Sequence, residues 1–180
     1  MPYKIQHKMG KEIKLFITDI DGVWTDNSLY YDKMGTESKR FNLGDSVGIM
    51  FLYLQNIPVA VISEENNDII RDRLEKLKVQ DLFLGVTNKL SIAENLIKKL
   101  GISWGEVAFI GDDINDIQLL EKAGYSAAPA QAPHYVKKHA RLTLMKNGGE
   151  GAFREFVEKY LDTKGLLNDT IEKYLLINQS

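Results

Sequence analysis

Short apolar runs alternate with helical patterns along most of this 180-residue chain. The apolar runs have the length of buried strands and lie at 13–18, 58–63, 82–86, 107–111 and 125–128. Apolar residues at helical spacing lie between them, at 45–55, 66–79, 89–100 and 113–123. Alternating strands and helices form βαβ units, so the sequence predicts a doubly wound, parallel α/β sheet with helices on both faces.

Two segments depart from this alternation. Residues 25–41 contain Leu29, Tyr30 and Tyr31 followed by a turn sequence, which predicts a β-hairpin that projects after the first strand. Near the end of the chain, a glycine-rich loop at 148–151 precedes a predicted helix at 152–160 and an amphipathic tail at 161–180. We therefore expect one domain spanning 1–180, with a core at about 13–160.

Composition excludes several classes of function. The chain has no cysteine, so any metal must bind oxygen or imidazole ligands, and the net charge of -2 gives no general attraction for polyanions. We therefore expect no nucleic-acid partner. The first twelve residues lack an apolar signal region and no run is long enough to span a bilayer, so we expect a cytoplasmic protein without membrane contact.

Polar residues follow the predicted strands where ligands bind in a parallel sheet. Asp19 and Asp21 end the first strand, Ser63 follows the second, and Asp112 follows the fourth, while Lys89 begins the helix after the third. Three carboxylates at one sheet edge repel each other unless a cation separates them. Oxygen ligands suit Mg²⁺, so the sequence predicts an Mg²⁺ site that acts on a phosphoryl group.

These residues resemble the four ordered motifs of the haloacid dehalogenase superfamily of phosphatases. The motifs are 16–23 with Thr25 and Asp26, then Ser63, Lys89 and 111–113, and the resemblance spans about 13–160. It implies a Rossmann-like core and a phosphomonoester hydrolase that works through an aspartyl phosphate.

The resemblance also implies a role for each site residue. Asp19 is the expected nucleophile and Asp21 the general acid and base. Ser63 and Lys89 are expected to bind the transferring phosphoryl group, and Asp19, Asp112 and the Asp21 carbonyl to hold Mg²⁺. Either Asp113 or Asp116 is expected to orient Lys89 or a metal-bound water, although a solvated helix position explains Asp116 equally well.

The length between the motifs leaves no room for the cap domain that many members of the superfamily carry. Only the hairpin and one helix separate Asp21 from the second strand. The resemblance to capless sugar-acid phosphatases implies a homotetramer, in which hairpins bury Leu29, Tyr30 and Tyr31 and a neighbouring subunit helps to wall the site. Alternatively, the tyrosines cover the core of their own subunit.

The finer resemblance is to phosphatases of 2-keto-3-deoxy sugar acids, which have two branches. The eight-carbon branch acts on 3-deoxy-D-manno-octulosonate 8-phosphate and usually has Gly-Arg after its Ser or Thr. This chain has Glu64 and Glu65 there, and Glu65 matches the nine-carbon branch. Arg73 and Lys76 match basic residues that reach the substrate carboxylate across a subunit boundary in that branch, although spacing alone favours a solvated helix face. We therefore expect 2-keto-3-deoxy-D-glycero-D-galacto-nononate 9-phosphate as the substrate, with the eight-carbon compound as the alternative.

Two asparagines are further candidate site residues. Asn42 and Asn115 match positions that contact phosphate or sugar in the family, but either also suits a turn or helix cap.

Two other classes of function fit the sequence less well. A phospho-acceptor receiver module would combine similar residues, yet receivers place the acceptor aspartate on the third strand. A non-catalytic scaffold would not require the complete set of motif residues.

Overall fold

A computed structural model describes residues 11–177 of the chain. Residues 1–10, which include His7, and residues 178–180 of the predicted tail lie outside the described part. The strands are β1 (Leu15–Thr18), β2 (Tyr30–Tyr31), β3 (Glu37–Ser38), β4 (Val59–Ile62), β5 (Asp81–Phe83), β6 (Val107–Ile110), β7 (Tyr125–Ala128) and β8 (Leu142–Thr143). The helices are α1 (Gly44–Leu54), α2 (Asp68–Lys76), α3 (Lys89–Leu100), α4 (Ile117–Lys122), α5 (His134–Lys137), α6 (Ala152–Thr163) and α7 (Leu167–Ile177).

Six strands form one parallel sheet in the order β5-β4-β1-β6-β7-β8. The prediction of a doubly wound parallel α/β fold is confirmed, with one more strand than the apolar runs indicated. β8 and α5 were missed because elements of two and four residues are too short to show a period. Within residues 11–177, no helix is both long and apolar enough to span a bilayer.

The side chains of β1 alternate between two hydrophobic layers. Phe16 lies in the layer that also holds Trp24, Phe153 and Phe156. Leu15 and Ile17 lie in the opposite layer with Ala93, Leu96, Phe109 and Leu119. Because both faces of this strand are buried, its sequence is continuously apolar, and its carboxyl end is fixed firmly at the centre of the sheet.

The hairpin segment and the tail, which depart from the alternation of strands and helices, both have defined structures in the fold. Residues 25–41 include the antiparallel pair β2-β3, so the predicted hairpin is present. The tail residues form α7, which packs against α1 of the same chain. There the rings of Phe51 and Tyr174 lie 5.7 Å apart, and Gln55 donates a hydrogen bond of 2.7 Å to Thr170.

Candidate functional site

The carboxyl ends of three neighbouring strands meet around one cavity. β1 lies between β4 and β6, so the loops that follow these strands converge at the centre of the sheet edge. The cavity has a volume of about 310 Å³ and is lined by Asp19, Asp21, Asn27, Ser63, Glu64, Glu65, Asp112, Asp113 and Asn115. The fold thus brings most of the predicted site residues together.

Asp19 is held rigidly at the end of β1. Its Oδ1 accepts a hydrogen bond of 2.8 Å from the Ile20 amide, and its Oδ2 lies 2.8 Å from Lys89 Nζ. Burial and the charge of nearby Asp116 raise the pKa of Asp19 well above its usual range, although Lys89 opposes the shift. A carboxylate fixed through both oxygens has a defined direction for attack on an electrophile.

Lys89 forms a second buried ion pair, with Asp116. Its Nζ lies 2.7 Å from Asp116 Oδ1, while the other oxygen of Asp116 accepts hydrogen bonds from the amides of Asp112 and Asp113. Asp116 is completely buried, so the interpretation of this residue as a solvated helix position is wrong. Of the two predicted candidates, Asp116 orients Lys89, whereas the exposed Asp113 caps the turn that follows β6.

Asp112 carries negative charge that the described residues leave poorly compensated. Burial, together with the charges of Asp116 and Asp113, raises its pKa to about 7. Carboxylate oxygens of Asp19, Asp112 and Asp116 lie within 4.8 Å of one another. Asp116 is engaged by Lys89 and by the amides of Asp112 and Asp113 and does not line the cavity, whereas Asp19 and Asp112 do. Their separation and excess charge fit a divalent cation with oxygen ligands.

Gly22 allows the close approach on which this arrangement depends. Its φ of +76° belongs to the left-handed region, and a Cβ at this position would lie 1.8 Å from Asp112 Oδ2. Glycine is therefore required both by the backbone and by the neighbouring carboxylate.

The residues after β4 extend around the mouth of the cavity. Ser63 is buried against the lining, whereas Glu64 and Glu65 are exposed. Glu64 accepts a hydrogen bond of 2.8 Å from Asn115, so Asn115 contacts the opposite loop and does not act as a simple helix cap. Glu65 lies 2.6 Å from the ammonium group of Lys39, a hairpin residue that the sequence analysis missed.

Three predicted substrate-binding residues lie outside the cavity lining formed by residues 11–177. Asn42 accepts a hydrogen bond of 2.7 Å from Gly44, the role of a turn residue before α1. Arg73 is half-buried and donates to Ser46, whereas Lys76 is exposed on α2. Contact of Arg73 and Lys76 with a substrate in a neighbouring subunit stays a prediction.

Gln131 is a further structural residue of the site that the sequence did not reveal. Its side chain donates a hydrogen bond of 2.7 Å to the Gly22 carbonyl and accepts one of 2.8 Å from the Gly148 amide. A Cβ on Gly148 would lie 2.1 Å from the same carbonyl oxygen. The glycine-rich loop therefore supports the backbone that follows Asp21. An isolated glutamine carries no recognisable motif, so only the tertiary contact identifies it.

Comparison with known proteins gives a consistent result. The family model of haloacid dehalogenase-like hydrolases matches residues 62–156. The 3-deoxy-D-manno-octulosonate 8-phosphate phosphatase KdsC of Haemophilus influenzae is 38% identical over 173 residues, which cover 95% of this chain and 96% of the relative. KdsC of Escherichia coli K12 is 35% identical, over 89% of this chain and 85% of the relative.

Solved structures of such phosphatases have the same fold. The Moraxella catarrhalis 3-deoxy-D-manno-octulosonate 8-phosphate phosphatase, in complex with magnesium, phosphate and KDO, has a TM-score of 0.86 at 30% identity, over 90% of this chain and 93% of that chain. The cobalt-bound Haemophilus influenzae phosphatase has a TM-score of 0.84 at 38% identity, over 91% and 97% of the two chains.

Proposed function

Because the chain belongs to the haloacid dehalogenase-like hydrolases and is a phosphomonoester hydrolase, we propose that its site residues cleave a sugar-acid phosphate through an aspartyl phosphate. The observation that carries this proposal is the convergence of Asp19, Asp21, Ser63 and Asp112 on one cavity, with Lys89 directly behind Asp19.

Asp19 attacks phosphorus, and the bond from phosphorus to the sugar oxygen breaks as the bond to Asp19 forms. Asp21 gives its proton to the departing alkoxide and then removes a proton from the water that hydrolyses the intermediate. The hydroxyl of Ser63 donates to a phosphoryl oxygen. The fixed ammonium of Lys89 offsets the charge that develops beside Asp19.

Mg²⁺ is the cofactor that this donor set fits, with Asp19, Asp112 and the Asp21 carbonyl as its protein ligands. When bound, it would offset the negative charge of the phosphoryl group and of the carboxylates around it. The raised pKa of Asp112 supports this assignment, because a cation would offset both of its causes, the burial of the carboxyl group and the charges of Asp116 and Asp113.

The proposed substrate is 3-deoxy-D-manno-octulosonate 8-phosphate. Relatives of that name match nearly the whole chain, which supports the eight-carbon alternative over the nine-carbon substrate first expected. The preference for nine carbons depended on Glu65 together with Arg73 and Lys76, and of these Glu65 is engaged by Lys39. The unusual pair of Glu64 and Glu65 keeps the nine-carbon compound as the second candidate.

Phosphate release from the two sugar acids, measured side by side in Mg²⁺ with 4-nitrophenyl phosphate as the baseline, tests this assignment. We expect the larger kcat/KM for the eight-carbon compound. A preference for the nine-carbon compound that Glu65→Gln abolishes would support the second candidate. If kcat/KM for both sugar acids were no higher than kcat/KM for 4-nitrophenyl phosphate, the sugar-acid substrate would be contradicted. The phosphatase chemistry would be unaffected.

A homotetramer with shared sites is the proposed assembly. Tyr30 and Tyr31 are 51% and 64% exposed on the hairpin, so they do not cover their own core and remain available to a neighbour. Light scattering should give four times the chain mass. Mixed tetramers of Asp19→Asn and Arg73→Ala subunits should regain activity if Arg73 acts across the boundary, and unmixed variants serve as controls.

A further inference from the structure

Lys39 joins the hairpin to the two loops that carry the chemistry. It follows β3, and its side chain is only 3% exposed. Its Nζ lies 2.6 Å from Asp21 Oδ1 and 2.6 Å from Glu65 Oε2. Burial disfavours the ammonium, but the bonds to Asp21 and Glu65 outweigh burial and raise the pKa of Lys39, so it remains a cation.

The two oxygens of Asp21 have different environments. Oδ1 accepts hydrogen bonds from both Lys39 at 2.6 Å and Thr25 Oγ1 at 3.1 Å. Oδ2 is buried and has no hydrogen-bond partner among residues 11–177. A buried carboxyl oxygen without a partner is costly unless it meets a ligand.

We propose that Lys39 is a positioning residue for leaving-group protonation, which holds Asp21 by Oδ1 and so reserves Oδ2 for the leaving-group oxygen. This inference rests on the proposed role of Asp21 as general acid. The proton on Oδ2 passes to the leaving oxygen as its bond to phosphorus breaks, and Lys39 keeps all of its protons. The negative charge left on Asp21 is then stabilised through Oδ1 by a cation already in place.

The role of Lys39 predicts a dependence on the leaving group. Phenolate is a stronger base than 4-nitrophenolate, so phenyl phosphate needs protonation of its leaving group more than 4-nitrophenyl phosphate does. Removing Lys39 leaves Asp21 Oδ1 with the longer hydrogen bond from Thr25, so the carboxyl group is held less firmly, which impairs proton delivery but not nucleophilic attack. We therefore expect Lys39→Met to reduce kcat/KM for phenyl phosphate at least about tenfold more than for 4-nitrophenyl phosphate.

Arg40→Met is the matched control, because Arg40 is a neighbouring hairpin cation that pairs with Asp26 at 2.9 Å, outside the cavity. This control should affect both esters equally and weakly. Lys39→Arg, which keeps the charge, should recover part of the activity that Lys39→Met loses on phenyl phosphate. Thermal unfolding of every variant shows whether a loss of activity results from misfolding.

Equal losses on the two esters in a folded Lys39→Met protein would overturn the proposal, as would wild-type activity. Neither ester contains a sugar, so this outcome is independent of the substrate assignment. The sugar-acid assay can fail while Lys39→Met still loses more activity on phenyl phosphate than on 4-nitrophenyl phosphate. Conversely, the sugar-acid assay can succeed while Lys39→Met loses the same activity on both esters.

Discussion

The ammonium group of Lys89 lies 2.7 Å from Oδ1 of Asp116, and both side chains are almost completely removed from solvent. Such a pair is stable only because each partner compensates the charge of the other. Asp116 thereby aims the Lys89 ammonium at Asp19, and its second oxygen binds the backbone that presents Asp112. One buried carboxylate thus organises both the cation beside the proposed nucleophile and the loop of the proposed metal site.

Asp116→Asn should reduce kcat about tenfold to a hundredfold, the usual effect of removing a residue that orients a site group. The amide keeps the shape of the side chain but cannot compensate Lys89. Steady-state kinetics on 4-nitrophenyl phosphate measures the loss. Asp113→Asn, an exposed substitution in the same turn, is the control and should lose little. A fully active Asp116→Asn enzyme would contradict this account of Lys89.

Mg²⁺ should stabilise the protein more at pH 8 than at pH 5.5. Without a cation, burial raises the folded-state pKa of Asp19 and raises that of Asp112 to about 7. The folded protein then binds more protons than the unfolded chain between their pKa values, so its stability falls as pH rises through this interval.

The cation competes with these protons, and its stabilising effect therefore grows as pH rises. Thermal unfolding with and without Mg²⁺ at the two pH values measures the effect. Asp112→Asn should largely abolish the stabilisation by Mg²⁺ at both pH values. A shift of the same size at pH 5.5 and pH 8 would argue against competition with Asp19 and Asp112.

Gly22→Ala should abolish metal-dependent activity, whereas Gly35→Ala should retain it. Both residues have a left-handed backbone, with φ of +76° and +79°, so each alanine incurs a similar strain of about 1 kcal/mol. The Cβ at Gly22 meets Asp112, whereas a Cβ at Gly35 has no atom of residues 11–177 within 4 Å apart from those of its two chain neighbours. Calorimetric titration of Mg²⁺ compares the two variants, and equal affinities would refute the steric argument.

Asp45→Asn should stabilise the protein relative to wild type increasingly as pH rises from 5 to 8. Burial raises the pKa of Asp45 to about 7, although the Arg154 amide at 2.9 Å and nearby arginines oppose the shift. Because the folded-state pKa exceeds the unfolded one, ionisation destabilises the fold as pH rises from about 4 to 7, by on the order of a few kcal/mol.

Denaturant unfolding at several pH values measures the difference between Asp45→Asn and the wild-type protein. Asp72→Asn, at an exposed position of α2, provides the control. Its free energy of unfolding should differ from that of the wild-type protein by nearly the same amount at every pH. A pH-independent difference for Asp45→Asn would show that this carboxyl does not titrate in the folded protein.

The sheet and the site around Asp19 were predictable because their signals are local. Buried parallel strands are continuously apolar, and the polar residues that end them follow directly in the sequence. The order of the strand ends then brings Asp19, Ser63 and Asp112 together without knowledge of side-chain packing.

The roles of Lys39 and Gln131 could not be predicted in this way. A lysine in a hairpin is ordinarily a solvated residue, and only the fold of residues 25–41 over the sheet edge brings Lys39 to Asp21. Gln131 acts through the Gly22 carbonyl, which any sequence would supply. Asn42 and Arg73 contact Gly44 and Ser46 of their own chain, and a role of either residue in substrate binding stays a prediction that a single subunit does not test.

The central position of β1 has a consequence for biosynthesis. Its neighbours in the sheet are β4 and β6, whose first residues are Val59 and Val107, so β1 is synthesised well before either of these partners. Leu15, Phe16 and Ile17 therefore emerge as an apolar, unpaired segment in a growing chain. β1, which directly precedes the proposed nucleophile Asp19, is thus a segment that has to be protected from aggregation while the chain is being synthesised.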